Sequence, residues 1–173
     1  EANEEVVPVK MTDAQKKIYN LMLSSILRRN YDLFKKEDLR AFKKSTMRMI
    51  QFFSNPLLQL KYIDNIDPIL ARELEEEGEG NKMKQLIFDV EKLTKKGKKA
   101  LIWSSFPKNI DLMNEHLSHL NPVSVHGKIP TGNINTPSTR EHNINKFKND
   151  PSCMVFIANP AAASEGISLH KVC

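Results

Sequence analysis

The run Lys99-Ala100-Leu101-Ile102-Trp103-Ser104-Ser105-Phe106 governs how the rest of the chain is read. Ala100 to Trp103 is a short unbroken apolar segment, closed by two serines, as expected of a parallel strand buried on both faces. Working outward, Pro107 opens a helix whose apolar face is Ile110, Met113, Leu117 and Leu120. Pro122-Val123-Ser124-Val125 reads as a second strand, and Gly127 to Pro137 as a polar loop. Thr139 caps a helix running to Phe147 and Lys148, and Met154-Val155-Phe156-Ile157-Ala158 is a third strand. On the other side, Met83, Leu86, Ile87, Val90 and Leu93 form one helical face that ends at Gly97. Strands alternating with helices imply right-handed crossovers and a parallel sheet with helices on both faces. Trp103 and the methionine stripe are assigned to its core.

Residues 11–77 carry a different rhythm, helical throughout. Thr12-Asp13-Ala14-Gln15 reads as a capping box, followed by Ile18, Leu21, Met22 and Ile26 at helical spacing. A second helix is expected from about Lys36 to Phe53, with Leu39, Phe42, Met49, Ile50 and Phe53 as its apolar stripe and Asn55-Pro56 as its end. Asp67-Pro68 looks like an N-cap with proline at the first helical position. The acidic run Glu73 to Glu79 reads as a solvated linker. The division is thus a linker over 1–10, a helical segment over 11–77 and an α/β unit over 78–173.

Composition narrows the classes. Of the 173 residues 40% are hydrophobic, which is enough for a real core and argues against disorder. The net charge of +5 favours a polyanionic partner. Cys153 and Cys173 are the two cysteines, too few for a disulfide framework or a metal site. No apolar stretch approaches the roughly 20 residues that span a bilayer, and the acidic start is not a signal peptide. The chain has no initiator Met and its last residues run on like the interior of a domain, so it reads as an excised fragment.

In a parallel α/β sheet, ligands bind beyond the carboxyl ends of the strands. Those ends are Ser104-Ser105-Phe106, His126-Gly127, and Asn159 to Gly166. Ser104, Ser105 and the amides near Lys108 could receive a phosphate at a helix N-terminus, or Ser105 could simply cap the helix. His126 is more often a structural hydrogen-bonder than a catalyst. Arg140 could meet phosphate, or make a surface ion pair. His116 and His119 stand three apart but lack a third ligand, so no metal site is expected. Lys92, Lys95, Lys96, Lys98 and Lys99 are either a nucleic-acid-facing patch or charges that complement a helix C-terminus.

Taken in order, the segments at Lys99–Phe106, Val125-His126-Gly127, Arg140 with Phe147, Met154–Ala158 and Ala162-Ala163-Ser164-Glu165-Gly166-Ile167-Ser168-Leu169 resemble the second RecA-like lobe of superfamily 2 helicases. The resemblance is closer to the sucrose-non-fermenting (Snf-type) branch of double-stranded DNA translocases. Val9-Lys10-Met11-Thr12 with Gln15 and Tyr19 looks like the segment joining the two motor lobes, and Met49 to Leu58 like the helix preceding this lobe. Gly80-Asn81-Lys82-Met83 stands where that branch has its lead-in.

The resemblance implies a parent that hydrolyses ATP with Mg²⁺ while moving along duplex DNA, in the cytoplasm of a bacterial or phage-type host or in a eukaryotic nucleus. It implies nucleic-acid contacts at Ser104, Ser105, Lys108, His126, Gly127 and Arg140, and a nucleotide/DNA coupling loop at Asn159, Ser164, Glu165 and Gly166. No catalytic residue is expected in this stretch. The sequence holds no G-x-x-x-x-G-K-[ST] phosphate loop; Gly78-Glu79-Gly80-Asn81-Lys82 is only an echo of one. The partner implied is the first motor lobe, where the family carries its nucleotide cradle, and the family's arginine finger falls beyond Leu169. The lobe is therefore expected to be incomplete, short of a strand, inactive alone, and without ATP or Mg²⁺ of its own. No oligomeric state is indicated. The coupling loop departs from the family's commonest form, which has two glycines where Ala163 and Ser164 stand. That departure lends weight to a second reading, a nucleic-acid-binding or regulatory module with a degenerate, non-hydrolysing lobe.

Overall fold

The computed structural model describes residues 4–34, 39–63 and 65–163. The chain divides into two compact units, Glu1–Gln85 and Leu86–Cys173. The first is helical: α1 (Asp13–Phe34), α2 (Leu39–Ser54), the single turn α3 (Leu57–Leu60), α4 (Pro68–Glu77), and the start of α5 (Asn81–Thr94). Its core is Ala14, Ile18, Phe52 and Leu74, flanked by Tyr19, Met22, Leu57 and Leu70.

Local chemistry explains where these helices start and stop. Thr12 Oγ1 accepts the Gln15 N–H at 3.4 Å, the forward half of a capping box. The return half is absent, because Gln15 is buried and its side chain donates instead to the Phe52 carbonyl at 3.4 Å. Asp67 caps α4 by accepting the Ile69 N–H at 2.9 Å, with Pro68 at the first helical position. Asn55 ends α2 and its Oδ1 accepts the Leu57 N–H at 3.1 Å, turning the chain at Pro56.

Two expectations for this unit are corrected. The acidic run is not a linker: Glu73 to Glu77 are the C-terminal half of α4. They stay helical because Leu74 is fully buried and Glu77 Oε1 accepts the Ala14 N–H at 3.0 Å, satisfying a first-turn donor of α1. The apolar stripe of α2 is also rotated. Among its described side chains Phe52 is the buried one, whereas Ile50 is 47% exposed and Phe53 36%, the latter packed on Tyr19 with ring centroids 5.2 Å apart.

Among its described residues the second unit has a three-stranded parallel sheet in the order β1-β3-β2, with β1 Ala100–Trp103, β2 Val123–Val125 and β3 Val155–Ala158. Ala100 pairs with Val155 and Trp103 with Ala158, while Val123 pairs with Phe156 and Val125 with Ala158. Every residue of β3 is buried, as a strand with a neighbour on each side and helices above and below must be. One face of the sheet packs Phe156 and Ala158 with Val123, Val125, Phe147 and Cys153; Phe147 comes from α7 (Arg140–Asn149). Ile110 and Met113 of α6 (Pro107–His116), and Leu117 after it, are buried as well. Burial also pushes the Cys153 thiol pKa up, so Cys153 behaves as a small core residue. The chain is thus α/β with a preceding all-helical segment. Trp103 departs from its core assignment: it is 51% exposed. It ends β1, whose neighbour among the described residues is β3 alone, while α7 packs over β2, at the other edge of the described sheet. Of the methionines, Met83 and Met113 are buried and Met47 is half-exposed.

The lysine cluster resolves into different roles. Lys99 Nζ donates to the carbonyls of Phe147 and, at 2.8 Å, Asp150, and lies 5.1 Å from the centre of the Phe147 ring. It therefore caps the C-terminus of α7 and does not serve the helix it follows. Lys92, Lys95, Lys96 and Lys98 are exposed. Replacing Lys99 by Met should cost about 1–3 kcal/mol, the range for hydrogen bonds from a charged donor, and lower the melting temperature by several degrees. Lys96→Met should leave it within error. Equal shifts in the two variants, measured by thermal unfolding, would contradict the assignment.

Candidate nucleic-acid interface

The parallel sheet brings three strand ends to one edge. At the end of β1 the Ser104 N–H extends the ladder to the Ala158 carbonyl at 2.9 Å. The chain then turns, and Ser104 Oγ accepts the Phe106 N–H at 3.3 Å. The N-cap of α6 is Phe106, in extended backbone and without a side-chain cap, so Ser105 is not the cap. Ser105 is exposed and its carbonyl accepts from Asn159 Nδ2 at 3.1 Å. Pro107 opens the helix and Lys108 follows it, exposed, while the Asn109 N–H donates back to the Phe106 carbonyl at 3.0 Å. That turn combines the positive end of a helix dipole with an exposed cation, which suits a phosphate oxygen.

At the end of β3, the Asn159 N–H donates to the Val125 carbonyl at 2.9 Å and Asn159 Oδ1 accepts the Ala161 N–H at 3.0 Å. Asn159 thereby fixes the turn into α8 (Pro160–Ala163) and ties it to the Ser105 turn. Ser164, Glu165 and Gly166 lie outside the described residues.

At the end of β2, His126 is buried. Its Nδ1 accepts the Lys128 N–H at 3.4 Å, and its Nε2 lies 3.9 Å from Asp111 Oδ1 on α6. The Lys128 bond closes the turn after β2, and the turn lies beside the neighbouring helix. Gly127 is exposed, and a Cβ there would meet no atom within 4 Å.

Thr139 caps α7, accepting the His142 N–H at 3.3 Å, while its hydroxyl lies 2.8 Å from the Thr136 carbonyl. Arg140 follows. Its N–H donates to the Pro130 carbonyl at 2.9 Å and its Nη2 to the Ala162 carbonyl. Arg140 Nε is buried and has no hydrogen-bond partner among the described residues. The arginine is therefore not a surface ion pair; it ties the start of α7 to α8.

Ser104, Ser105, Asn159 and Arg140 are thus bound into one hydrogen-bonded edge, with Lys108 and His126 on its flanks. Sequence reasoning missed Asp111 as the partner of His126, and Asn143, whose Nδ2 donates to the Ser124 carbonyl at 2.9 Å. An amide reaching a backbone carbonyl nineteen positions away leaves no local pattern to read. The glycine-rich echo at Gly78–Lys82 follows a helix, not a strand. Gly78 and Gly80 have φ of 79° and 85°, and Asn81 Nδ2 donates to the Lys10 carbonyl at 3.1 Å. It is a turn between α4 and α5 and not a phosphate loop. His119 Nε2 lies 3.5 Å from Glu91 Oε1, and among the described residues no group of three or more His, Cys, Asp or Glu is placed to hold a metal.

Arg140→Ala should destabilise the second unit by about 1–3 kcal/mol, the scale for a lost charge-assisted bond, and speed amide hydrogen exchange over 159–163. Exchange there unchanged from the native chain would show that Arg140 does not hold this turn.

Comparison with known proteins supplies the wider frame. No protein-family model matches the chain, and no curated protein matches it in sequence. Solved structures do match. The Sulfolobus solfataricus SWI2/SNF2 ATPase C-terminal domain superposes with a TM-score of 0.71 at 16% identity, over 96% of this chain and 67% of that one. The C-terminal part of the Fun30 ATPase domain gives a TM-score of 0.54 at 17% identity, over 95% of this chain and 71% of that one. No helix among the described residues is long and apolar enough to cross a membrane. At these identities the likeness is one of fold: the chain folds as SWI2/SNF2-type ATPase C-terminal domains do, a RecA-like α/β lobe preceded by helices.

Proposed function

We propose that this chain is the second motor lobe of an ATP-driven, SNF2-type DNA translocase, and that it grips the backbone of duplex DNA at the carboxyl edge of its sheet. The observation that carries the reading is the tying of the Ser104–Phe106 turn to the Asn159 turn, and of Arg140 to Ala162, within a fold shared with SNF2 ATPase C-terminal domains. Ser104, Ser105 and Lys108 would contact phosphates where the chain turns from β1 into α6. His126, Gly127 and Arg140 would shape the neighbouring loop. Asn159 and the Ser164-Glu165-Gly166 segment would couple that grip to the nucleotide cleft between lobes.

The residues present do not fit ATP and Mg²⁺ by themselves. The sequence has no phosphate loop, and no acidic cluster suited to a metal is found among the described residues. Cradling the nucleotide falls to the first lobe, and no hydrolytic step is assigned to this one. Closure of the two lobes on ATP and reopening after hydrolysis would move one grip relative to the other. Ala163 and Ser164, standing where the family commonly has two glycines, favour the second reading, a binding or regulatory lobe in a parent that does not hydrolyse ATP.

Duplex DNA binding by the chain over a salt series tests the grip. The expected result is weak binding that falls steeply with salt, as release of counterions from phosphates requires. A Lys108→Ala, Ser164→Ala double variant should bind about 3–10-fold more weakly, the effect of losing one or two phosphate contacts of roughly 1 kcal/mol. Binding unchanged in that variant would move the grip away from the carboxyl edge.

A further inference from the structure

The sharpest mismatch between residue type and burial lies in α2 of the helical unit. Leu39–Ser54 carries Arg40, Lys43, Lys44 and Arg48 and no Asp or Glu. Among its described side chains only Phe52 enters the core, while the large apolar Met47, Ile50 and Phe53 stay exposed. Successive members of that trio stand three positions apart, so they form one continuous row along the helix surface, roughly 9 Å long at 1.5 Å per residue. Phe53, at the end of the row, packs on Tyr19 of α1. The row therefore borders the seam along which α1 and α2 pack together.

The flank of the row is one-signed. Lys44 and Arg48, four positions apart, run beside it on the flank away from Tyr19, and Lys43 heads it one turn before Met47. Lys43 and Lys44 are exposed, and among the described residues no carboxylate pairs with Lys43, Lys44 or Arg48. A contiguous apolar row rimmed by charge is the mark of an interaction surface, since covering it removes apolar area from water. Met47 and Met49 add unbranched, polarisable side chains that adapt to the shape of a partner.

We infer that this face receives an acidic amphipathic helix of another protein, laid along the α1–α2 seam, with its apolar stripe on Met47, Ile50 and Phe53 and its carboxylates toward Lys44 and Arg48. The form of the partner follows from the surface: two packed helices offer a groove between their ridges, which a third helix fills. Its charge follows from the flank. Taking cations out of water without a carboxylate to meet them is costly, which disfavours a basic or wholly apolar helix. Duplex DNA would meet the lysines through its phosphates but leave the apolar row in water. A second copy of the chain does not supply the partner, because its acidic helix α4 spends Glu73 on Lys17, Glu76 on Arg72 and Glu77 on the Ala14 N–H.

The probe is a fluorescently labelled peptide of about eighteen residues, roughly five helical turns, with Leu at alternating three- and four-residue spacing, Glu on both flanks, and Ala and Gln elsewhere. Anisotropy reads its binding to the chain, and circular dichroism its helix content. The peptide should bind and gain helix, and one of the same composition with the spacing scrambled should bind about tenfold more weakly. Ile50→Glu should weaken binding about tenfold, and Lys44→Glu by about 3–10-fold, on the scale of one lost charge-assisted contact. Met47→Glu gives the same reading as Ile50→Glu where the latter fails to fold. Arg28→Glu makes a like charge change at an exposed site nine positions beyond Tyr19, on the opposite side of α1, and should change binding less than about twofold. No binding, a scrambled peptide that binds as well, native binding by both Ile50→Glu and Met47→Glu, or equal losses from Arg28→Glu and Lys44→Glu would each overturn the proposal. So would a dimer of the chain, seen by sedimentation, that Ile50→Glu abolishes, or uptake on anionic phospholipid vesicles that Ile50→Glu abolishes while the peptide does not bind.

Discussion

The second unit depends on the placement of β3 between β1 and β2. Val155 to Ala158 are fully buried, and the strand's backbone is committed on both sides, in parallel register, to Ala100–Trp103 and Val123–Val125. Parallel pairing requires each connection to return over a face of the sheet, so the helices cover it and all three strand ends emerge together. The first residues beyond the strands still obey that register. Ser104 bonds Ala158 and Asn159 bonds Val125, so the edge is an extension of the ladder and not a loose collection of loops. A slip in that pairing would carry Ser104, Asn159 and His126 away from one another.

Around that ladder, polar side chains mostly finish backbone hydrogen bonding. Lys99 closes the end of α7, Thr139 its start, Asn143 the free carbonyl of β2, Asn159 the turn after β3, and His126 the turn after β2. Buried backbone groups left without partners are costly, so these bonds are part of the fold's stability. They also hold the turns at the carboxyl edge in a fixed shape before any ligand arrives. Lys108, on the first turn of α6, and Ser105, just before its N-cap, are different: both are exposed and can meet a partner.

Much of this was legible in the sequence because it is written in local signals. The runs at Ala100–Trp103, Val123–Val125 and Val155–Ala158 announce strands, and Thr139 and Asp67-Pro68 announce helix starts that the structure has. What was not legible depends on partners distant along the chain. Glu73–Glu77 looks like a solvated linker until Leu74 is seen buried and Glu77 is seen satisfying Ala14. Ser105 looks like a cap, but its neighbour Ser104 takes the turn's amide and Phe106 holds the cap position. Trp103 looks like core, yet it ends a strand with one described neighbour. Arg140 looks like a surface charge, yet its guanidinium runs inward to Ala162. In each case hydrophobicity or residue type gave the local expectation and tertiary hydrogen bonding decided otherwise.

The central claim is that DNA is held at the carboxyl edge, and the exposed lysines that follow α5 are its nearest rival. A photo-reactive phenylalanine analogue placed singly at Ser105 or at Lys96, in the presence of labelled duplex DNA, separates the two. Cross-linking from position 105, with little from position 96, is the predicted result. Cross-linking confined to position 96 would contradict the account and place the grip at the opposite edge of the sheet.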